Sequence, residues 1–306
     1  MRFIYCILLI FLEGCHIVPV DDYPKSNLKT PIILISGYNN KSDLWEQEKF
    51  TDYLADKQNL IYGGKLVFDK DSKINSTKGD TLSKMDYFSV SFSDSTTSID
   101  LLSVELKNFV TYVTEKTNTK KVMLVGYSMG GLIARQYLTE NINDHKVSAL
   151  ITIASPHKGS FWANTIYATN LLLGGTDSKL IEKLSSWLGK PISGLAIAQM
   201  VQSGRESFLT KLNQKQHPND VLYHSIVAQK SMMSNFKTIL NFFDIEVPNG
   251  NNDYVVTSES QNMSNISYFK QNNIDCQITK IENTHHFNVL NQHKIIYSTI
   301  EKYLKQ

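Results

Sequence analysis

The chain has 306 residues, of which 42% are hydrophobic, and its formal net charge is +2 at pH 7. This length allows one sizeable core, and large α/β domains reach it without splitting. Charged residues make up 20% of the chain and are nearly balanced in sign. The balance argues against nucleic-acid binding, which requires a concentrated basic face.

The N-terminus has the features of a signal peptide. One positive charge precedes an apolar run over residues 3–12, which is too short to span a bilayer as a helix. The next residues, ending in Cys15, resemble a bacterial lipobox, in which the chain is cut before a cysteine that is then lipidated; Glu13 departs from the pattern. We expect a signal peptide over residues 1–14 and a lipid on Cys15, with cleavage of an ordinary secretory signal as the alternative. Both place the mature protein beyond the inner membrane, as an anchored lipoprotein or in a periplasmic or extracellular form.

Apolar runs and helical patterns then alternate along the chain. Residues 15–30 are polar, contain two prolines and are interpreted as a tether. Strands are predicted at 32–35, 86–92, 121–125, 147–154, 221–228 and 276–281. Helical spacing of apolar residues occurs at 42–60, 98–117, 131–138 and 288–304. This alternation predicts βαβ units and a mostly parallel sheet, which is an α/β fold.

The stretch GYSMG carries a Gly-x-Ser-x-Gly pattern centred on Ser128. A predicted strand ends just before it and a helical stretch follows, which is the context that a nucleophile elbow requires. Gly126 and Gly130 leave room where a Cβ would clash, and the helix N-terminus favours the negative charge that develops in acyl transfer. We predict that Ser128 is a nucleophile; a glycine-rich connection with an incidental serine is the alternative.

A serine hydroxyl needs a general base, and the base needs an orienting group. In one common chain order the acid follows the serine and the histidine comes last. Asp253 lies in a turn just ahead of an apolar pair, where an acid is expected. His285 and His286 lie between the last predicted strand and the last helix, and one of them is the predicted base.

Four stretches in this order resemble the lipase branch of the α/β-hydrolases, including bacterial lipases and the related domain of GPI-inositol deacylases. They are PIILISGY, GYSMGGLIAR, ASPHKGS, and NDYVV with HHFNVLNQ. Together they cover most of residues 30–300 apart from an insertion at about 160–217. The resemblance implies an α/β-hydrolase domain over 31–306, in which helices flank a mostly parallel central sheet and the insertion forms a helical lid or cap.

The resemblance also assigns roles to the matched residues. Ser128 corresponds to the nucleophile, Asp253 to the acid and His286 to the base. The backbone N–H groups of Tyr38 and Met129 correspond to the two donors of an oxyanion hole. We therefore expect a Ser-His-Asp triad that forms an acyl-enzyme.

Some assignments have alternatives. His285 is the fallback base, since it stands where family members usually have Asp before the base. Asp244 is the alternative acid, because Tyr254 replaces the glycine of the family's Asp-Gly-Val-Val pattern. His157, in ASPHKGS, comes too early in the chain order to be the base and is expected to be structural.

Two further departures concern the oxyanion loop and calcium. Ser36 replaces the histidine that supports the oxyanion loop in the family, so the geometry of this loop is expected to differ. Asn288 replaces an aspartate that binds calcium in bacterial lipases, so no calcium is predicted. The three cysteines of the chain lack metal-ligand spacing. We predict no metal and no cofactor.

The insertion lies where lipases place a lid. Its apolar face would line an acyl pocket or touch a lipid surface, and the alternative is a helical subdomain that packs on the core. The apolar residues concerned are Leu171, Leu172, Leu173, Leu180, Leu184, Trp187, Leu188, Leu195 and Ile197.

The leading hypothesis is a carboxylic ester hydrolase that acts on lipid or acyl-ester substrates and is either secreted or anchored to a membrane through a lipidated Cys15. An alternative from another class is a non-catalytic envelope lipoprotein that binds lipid or a partner on the same scaffold. Acyl transfer to an acceptor other than water, amide cleavage and phospholipase activity are alternatives within enzymes, since the same triad serves them all.

Overall fold

A computed structural model describes residues 28–38, 43–79, 82–164, 195–201, 207–230 and 251–304. The predicted signal peptide, Cys15, most of the tether, Asp244 and the centre of the insertion lie outside these residues.

In the described part of the chain, eight strands form one sheet in the order β3-β2-β4-β1-β5-β6-β7-β8. All neighbouring strands are parallel except β2 and β3, which are antiparallel. The strands are β1 Ile32–Ile35, β2 Tyr62–Phe68, β3 Ile74–Ser76, β4 Tyr87–Ser91, β5 Val122–Tyr127, β6 Val147–Ile153, β7 Leu222–Gln229 and β8 Cys276–Glu282.

Helices connect and cover the strands. The first four are α1 Leu44–Gln47, α2 Phe50–Gln58, α3 Ile99–Thr117 and α4 Met129–Glu140. The others are Leu195–Gln199, Phe208–Gln214, Ser258–Gln261, Ser267–Asn272 and His293–Leu304, with 3-10 turns at Met263–Asn265 and His286–Asn291. The predicted α/β-hydrolase fold, a mostly parallel sheet flanked by helices, is confirmed.

The central strand β1 explains how one sheet divides the core in two. Ile33 and Ile35 pack with α3 and α4 on one face, whereas Ile32 and Leu34 pack on the other face against α2 and the C-terminal helix. All four isoleucine and leucine side chains are fully buried. A strand covered on both faces needs a continuous apolar run, which is why the sequence of β1 lacks alternation.

The sequence did not predict β2 and β3. β2 contains two glycines and a lysine, which weaken a strand pattern, and β3 has only three residues. Gly63 in β2 has a packing reason, since a Cβ there would lie 2.1 Å from the ring of Phe88. The predicted helix over 288–304 is also divided, because a 3-10 turn precedes the helix that begins at His293.

The described ends of the insertion pack on the core. The backbone N–H of Ile99, at the start of α3, donates to Gln199 Oε1 at 2.5 Å. Ile197 is buried, whereas Leu195 is 64% exposed. Within the described residues, no helix is long and apolar enough to cross a membrane.

Candidate active site

Ser128 lies in the turn between β5 and α4 in a backbone conformation that side-chain-bearing residues rarely adopt. Its φ is 53° and its ψ is −124°. Its N–H donates to the Ile153 carbonyl at 2.8 Å, which ties the turn to β6. A Cβ on Gly126 or Gly130 would lie 2.6 Å and 2.5 Å from backbone atoms of Gly131 and Ile35. Only glycine therefore fits on either side of this turn, which lifts the Ser128 hydroxyl away from the backbone.

The Ser128 hydroxyl belongs to a chain of three side chains. Ser128 Oγ lies 2.9 Å from His286 Nε2, and His286 Nδ1 lies 2.7 Å from Asp253 Oδ2. Since an ionised carboxylate only accepts hydrogen bonds, Nδ1 of the imidazole donates and Nε2 accepts from the Ser128 hydroxyl. This tautomer can take a proton from the hydroxyl, and the carboxylate can stabilise the imidazolium that results.

The acid loop after β7 holds the carboxylate of Asp253, which is fully buried. Its Oδ1 accepts hydrogen bonds from the N–H groups of Val255 at 3.0 Å and Val256 at 2.7 Å. Oδ2 thus faces His286 while Oδ1 is held by the backbone. Backbone N–H donors compensate a buried carboxylate, which would otherwise be costly to desolvate.

The same loop requires an unusual backbone at the next residue. Tyr254 has a φ of 79°, and its N–H donates to Asn252 Oδ1 at 3.0 Å. The Trp162 indole N–H donates to the Tyr254 carbonyl, and Ser160 Oγ donates to the Val255 carbonyl at 2.8 Å. The segment after β6 therefore anchors the acid loop, a role that the sequence did not reveal for Trp162 or Ser160.

The base loop after β8 is fixed by the backbone of His286. Its N–H donates to the Asp253 carbonyl at 2.8 Å, and its carbonyl accepts from the Tyr127 hydroxyl at 3.0 Å. Burial, together with the charge of Asp253, raises the pKa of Tyr127, so this phenol stays protonated and donates.

The neighbouring histidine is placed differently. The ring of His285 stacks on the ring of Tyr254 with centroids 5.8 Å apart. Burial and the nearby Lys230 ammonium lower the pKa of His285. Of the two histidines considered as base, His286 is the one hydrogen-bonded to Ser128.

The predicted oxyanion donors flank the Ser128 turn. Tyr38 follows β1 and Gly37, and a Cβ on Gly37 would lie 2.8 Å from the Ser128 Cβ. Met129 is the first residue of α4, where the helix dipole favours negative charge. The Ser36 hydroxyl is buried and has no hydrogen-bond partner among the described residues.

His157 lies outside this chain of side chains. Its Nδ1 is 3.2 Å from Arg135 Nη1, and its Nε2 is 3.1 Å from Thr152 Oγ1. Burial, followed by the charge of Arg135, lowers the pKa of His157 well below its usual value. Burial also lowers the pKa of Arg135 to about 9. The guanidinium further donates to His217 and Asn213, so this buried network is a packing feature that the sequence did not predict.

Among the described residues, His, Cys, Asp and Glu form no cluster of three or more that could hold an ion. Asn288, at the position compared with a calcium ligand, accepts the N–H of His285 at 3.0 Å. Its side chain thus serves the turn that leads into the base loop.

The fold and the family comparison define an α/β-hydrolase of the lipase-like branch. The sequence model of the PGAP1-like alpha/beta domain family matches residues 31–297. The chain therefore belongs to the PGAP1-like alpha/beta domain family. A comparison with curated protein sequences gave no match.

Solved structures of similar fold include bacterial lipases. The mature lipase BlEst2 of Bacillus licheniformis has a TM-score of 0.61 and 18% identity, covering 92% of this chain and 94% of that one. The lin2722 product of Listeria innocua has a TM-score of 0.56 and 16% identity, covering 90% and 94%. The Staphylococcus hyicus lipase has a TM-score of 0.50 and 16% identity, covering 92% and 97%. At these identities the likeness establishes a shared fold.

Proposed function

We propose that the protein is a serine carboxylic ester hydrolase in which Ser128, His286 and Asp253 form the catalytic triad. One observation carries the proposal: the hydrogen-bonded chain from Ser128 Oγ through the His286 imidazole to the buried Asp253 carboxylate, at 2.9 Å and 2.7 Å. A hydroxyl, an imidazole and a carboxylate in this order are the groups that acyl transfer through a serine requires.

The reaction proceeds in two halves. Ser128 Oγ attacks the ester carbonyl carbon while His286 Nε2 takes the hydroxyl proton, and Asp253 stabilises the imidazolium. The N–H groups of Tyr38 and Met129 donate to the oxyanion. The tetrahedral intermediate then expels the alcohol, which receives the proton from His286.

Water completes the second half. It loses a proton to His286 as it attacks the acyl carbon, and the carboxylic acid leaves as Ser128 regains its proton. The positive φ of Ser128 supports this role, because the strained turn presents the hydroxyl to a substrate and leaves the start of α4 behind the oxyanion.

We propose lipid or acyl esters as substrates. The family relationship supports this class, as does the similarity in fold to proteins described as lipases. Phe287 follows the base, is 40% exposed, and has its ring centroid 5.5 Å from that of His286. An exposed aromatic ring beside the base offers an apolar surface to an acyl chain.

The test combines covalent labelling with turnover. A fluorophosphonate probe is expected to label Ser128 of the native protein and to leave Ser128→Ala unlabelled. p-Nitrophenyl esters of increasing chain length are expected to be hydrolysed by the native protein only. Binding of acyl ligands without labelling or turnover would instead indicate a non-catalytic lipid-binding protein.

The choice of base has its own test. His286→Ala is expected to abolish labelling, whereas His285→Ala is expected to retain it at a reduced rate. Loss of labelling in His285→Ala alone would assign the base to His285. The two variants are matched, since each removes one imidazole from adjacent positions.

We also propose that the protein is exported and anchored through Cys15. The proposal rests on the apolar run over 3–12 and the following cysteine. Mass spectrometry of the mature N-terminus is expected to find a lipidated Cys15. Cys15→Ser is expected to release the protein from membranes, and a mature chain starting elsewhere would exclude the anchor.

A further inference from the structure

Tyr254 combines a glycine-like backbone with a large side chain. Its φ of 79° lies in the region that favours glycine. A residue with a Cβ raises the free energy of the folded chain in this conformation. Glycine would adopt this backbone without strain, so the backbone conformation alone does not account for a tyrosine here.

The Tyr254 ring contacts the residue that precedes the base. It stacks on the His285 ring with centroids 5.8 Å apart and planes inclined by 11°. The Lys230 ammonium lies 5.8 Å from the centroid of the same tyrosine ring. Tyr254 is only 8% exposed, whereas His285 is half-buried, so the stack extends from the buried acid loop toward the surface.

This stack is adjacent to the catalytic pair along both segments of the chain. Asp253 pairs with His286 by a side-chain contact of 2.7 Å and a backbone hydrogen bond of 2.8 Å. Tyr254 and His285, one residue further along each segment, pair through their rings. The two loops are therefore joined by two neighbouring side-chain pairs, of which the second adds no group to the chemistry.

The backbone of Tyr254 is itself held in place. The Trp162 indole N–H donates to its carbonyl, and Asn252 Oδ1 accepts its N–H at 3.0 Å. The tyrosine ring thus extends from a backbone that is fixed on both sides. A ring fixed in this way limits the rotation of the His285 ring that stacks on it, beside the peptide unit whose N–H, from His286, donates to the Asp253 carbonyl at 2.8 Å.

We propose that Tyr254 is a positioning residue, whose ring stacks on His285 and thereby orients the His286 imidazole between Asp253 and Ser128. This inference rests on the proposed function, since orientation of the imidazole matters to the reaction only if His286 is the base. It explains why a strained tyrosine is compatible with an acid loop that glycine would form with less strain.

Three substitutions at Tyr254 distinguish the contribution of its ring from that of its strained backbone. Tyr254→Phe keeps the ring, Tyr254→Gly removes it and relieves the strain, and Tyr254→Ala removes it and keeps the strain. We expect Phe to retain activity within about twofold, and both Gly and Ala to lower kcat by about 10- to 100-fold at unchanged KM. Thermal stability is expected to follow a different order, with Gly above Ala, because glycine tolerates the positive φ.

The partner of the stack provides a second measurement. His285→Ala is expected to lower kcat in the native background and to have little further effect in Tyr254→Gly, since residues in contact are energetically coupled. Additive effects would show that the two rings act independently and would overturn the proposal.

A proton NMR resonance from His286 Nδ1–H, assigned by its absence in His286→Ala, reports orientation without turnover. This resonance is expected to be sharp in the native protein and in Tyr254→Phe. It is expected to be broadened in Tyr254→Gly and Tyr254→Ala. Full kcat and a sharp resonance in Tyr254→Gly would overturn the positioning role alone. Failure of the native protein to label or turn over would contradict the proposed function, while the resonance would still decide whether the ring orients the imidazole.

Discussion

The Cβ of Ser128 lies 2.8 Å from the position that a side-chain carbon on Gly37 would occupy. The loop after β1 and the turn after β5 therefore approach each other as closely as their backbones allow. A carbon–carbon separation under 3 Å is far below van der Waals contact. One of the two segments must move if residue 37 gains a methyl group.

Gly37→Ala is therefore expected to lower kcat by about 10²-fold, because a small displacement of the nucleophile or of the Tyr38 N–H spoils the reacting geometry. Turnover of a short p-nitrophenyl ester measures the loss, and far-UV circular dichroism checks that the fold persists. Native kcat in this variant would show that the neighbouring segments adjust without moving Ser128.

Asp253→Asn is expected to lower kcat by about 10³- to 10⁴-fold. The amide can donate where the carboxylate accepts, so the imidazole is no longer held with Nδ1 protonated and Nε2 free to accept from Ser128. Asp244→Asn is the matched control at the alternative acid and is expected to retain native kcat. A large loss in Asp244→Asn with a small one in Asp253→Asn would reverse the assignment of the acid.

Acid is expected to destabilise the fold below about pH 6.5, which is the pKa of an exposed histidine. Burial lowers the pKa of His224 to about 4, and burial lowers those of His157 and His217 well below their usual value. Each imidazole then binds a proton in the unfolded chain but not in the folded one. The contribution of these groups to the free energy of unfolding is therefore complete above about pH 6.5. Below that pH the free energy of unfolding falls by about 1.4 kcal/mol per pH unit for each group, until the pH reaches the pKa of that group in the folded chain.

Urea unfolding between about pH 7.5 and pH 5 measures this slope. His224→Gln removes one of the three groups and is expected to reduce the slope by about 1.4 kcal/mol per pH unit. A stability that stays constant over this range in the native protein would mean that these imidazoles titrate alike in the folded and unfolded chains.

Ser36→Ala is expected to raise the free energy of unfolding by about 1 kcal/mol, because a buried hydroxyl without a partner is costly to desolvate. Ser225→Ala is the matched comparison, since Ser225 is equally buried but accepts the Met263 N–H at 3.0 Å. It is expected to lower that free energy by about 1–3 kcal/mol. Chemical denaturation measures the free energy of unfolding of both variants. A decrease in that free energy for Ser36→Ala would indicate that the Ser36 hydroxyl is hydrogen-bonded.

The sequence predicted the central strands well because they are buried on both faces. Residues 122–125 and Ile32–Ile35 are continuous apolar runs followed by glycine-containing segments, and these signals are local. The strand Tyr62–Phe68 was missed because it contains two glycines, of which Gly63 makes room for the ring of a distant residue, Phe88. The strand signal there depends on tertiary contacts that a sequence does not display.

The same distinction applies to the candidate site. Ser128 carries a local motif, and Asp253 and His286 follow in a known chain order. The anchoring of the acid loop by Trp162 and the stack of Tyr254 on His285 join segments that are 92 and 31 residues apart in the chain. No local pattern marks such contacts. The sequence offered one signal, which is that Tyr254 replaces the glycine of the Asp-Gly-Val-Val pattern that this stretch resembles.

The three side chains follow β5, β7 and β8, and these strands lie with β6 at one end of the sheet order. Parallel strands pair through contacts that are distant in sequence, and such contacts form slowly during folding. The hydroxyl, imidazole and carboxylate meet only after β8, the edge strand next to β7, has docked. Recovery of labelling at Ser128 during refolding would therefore mark completion of this half of the sheet.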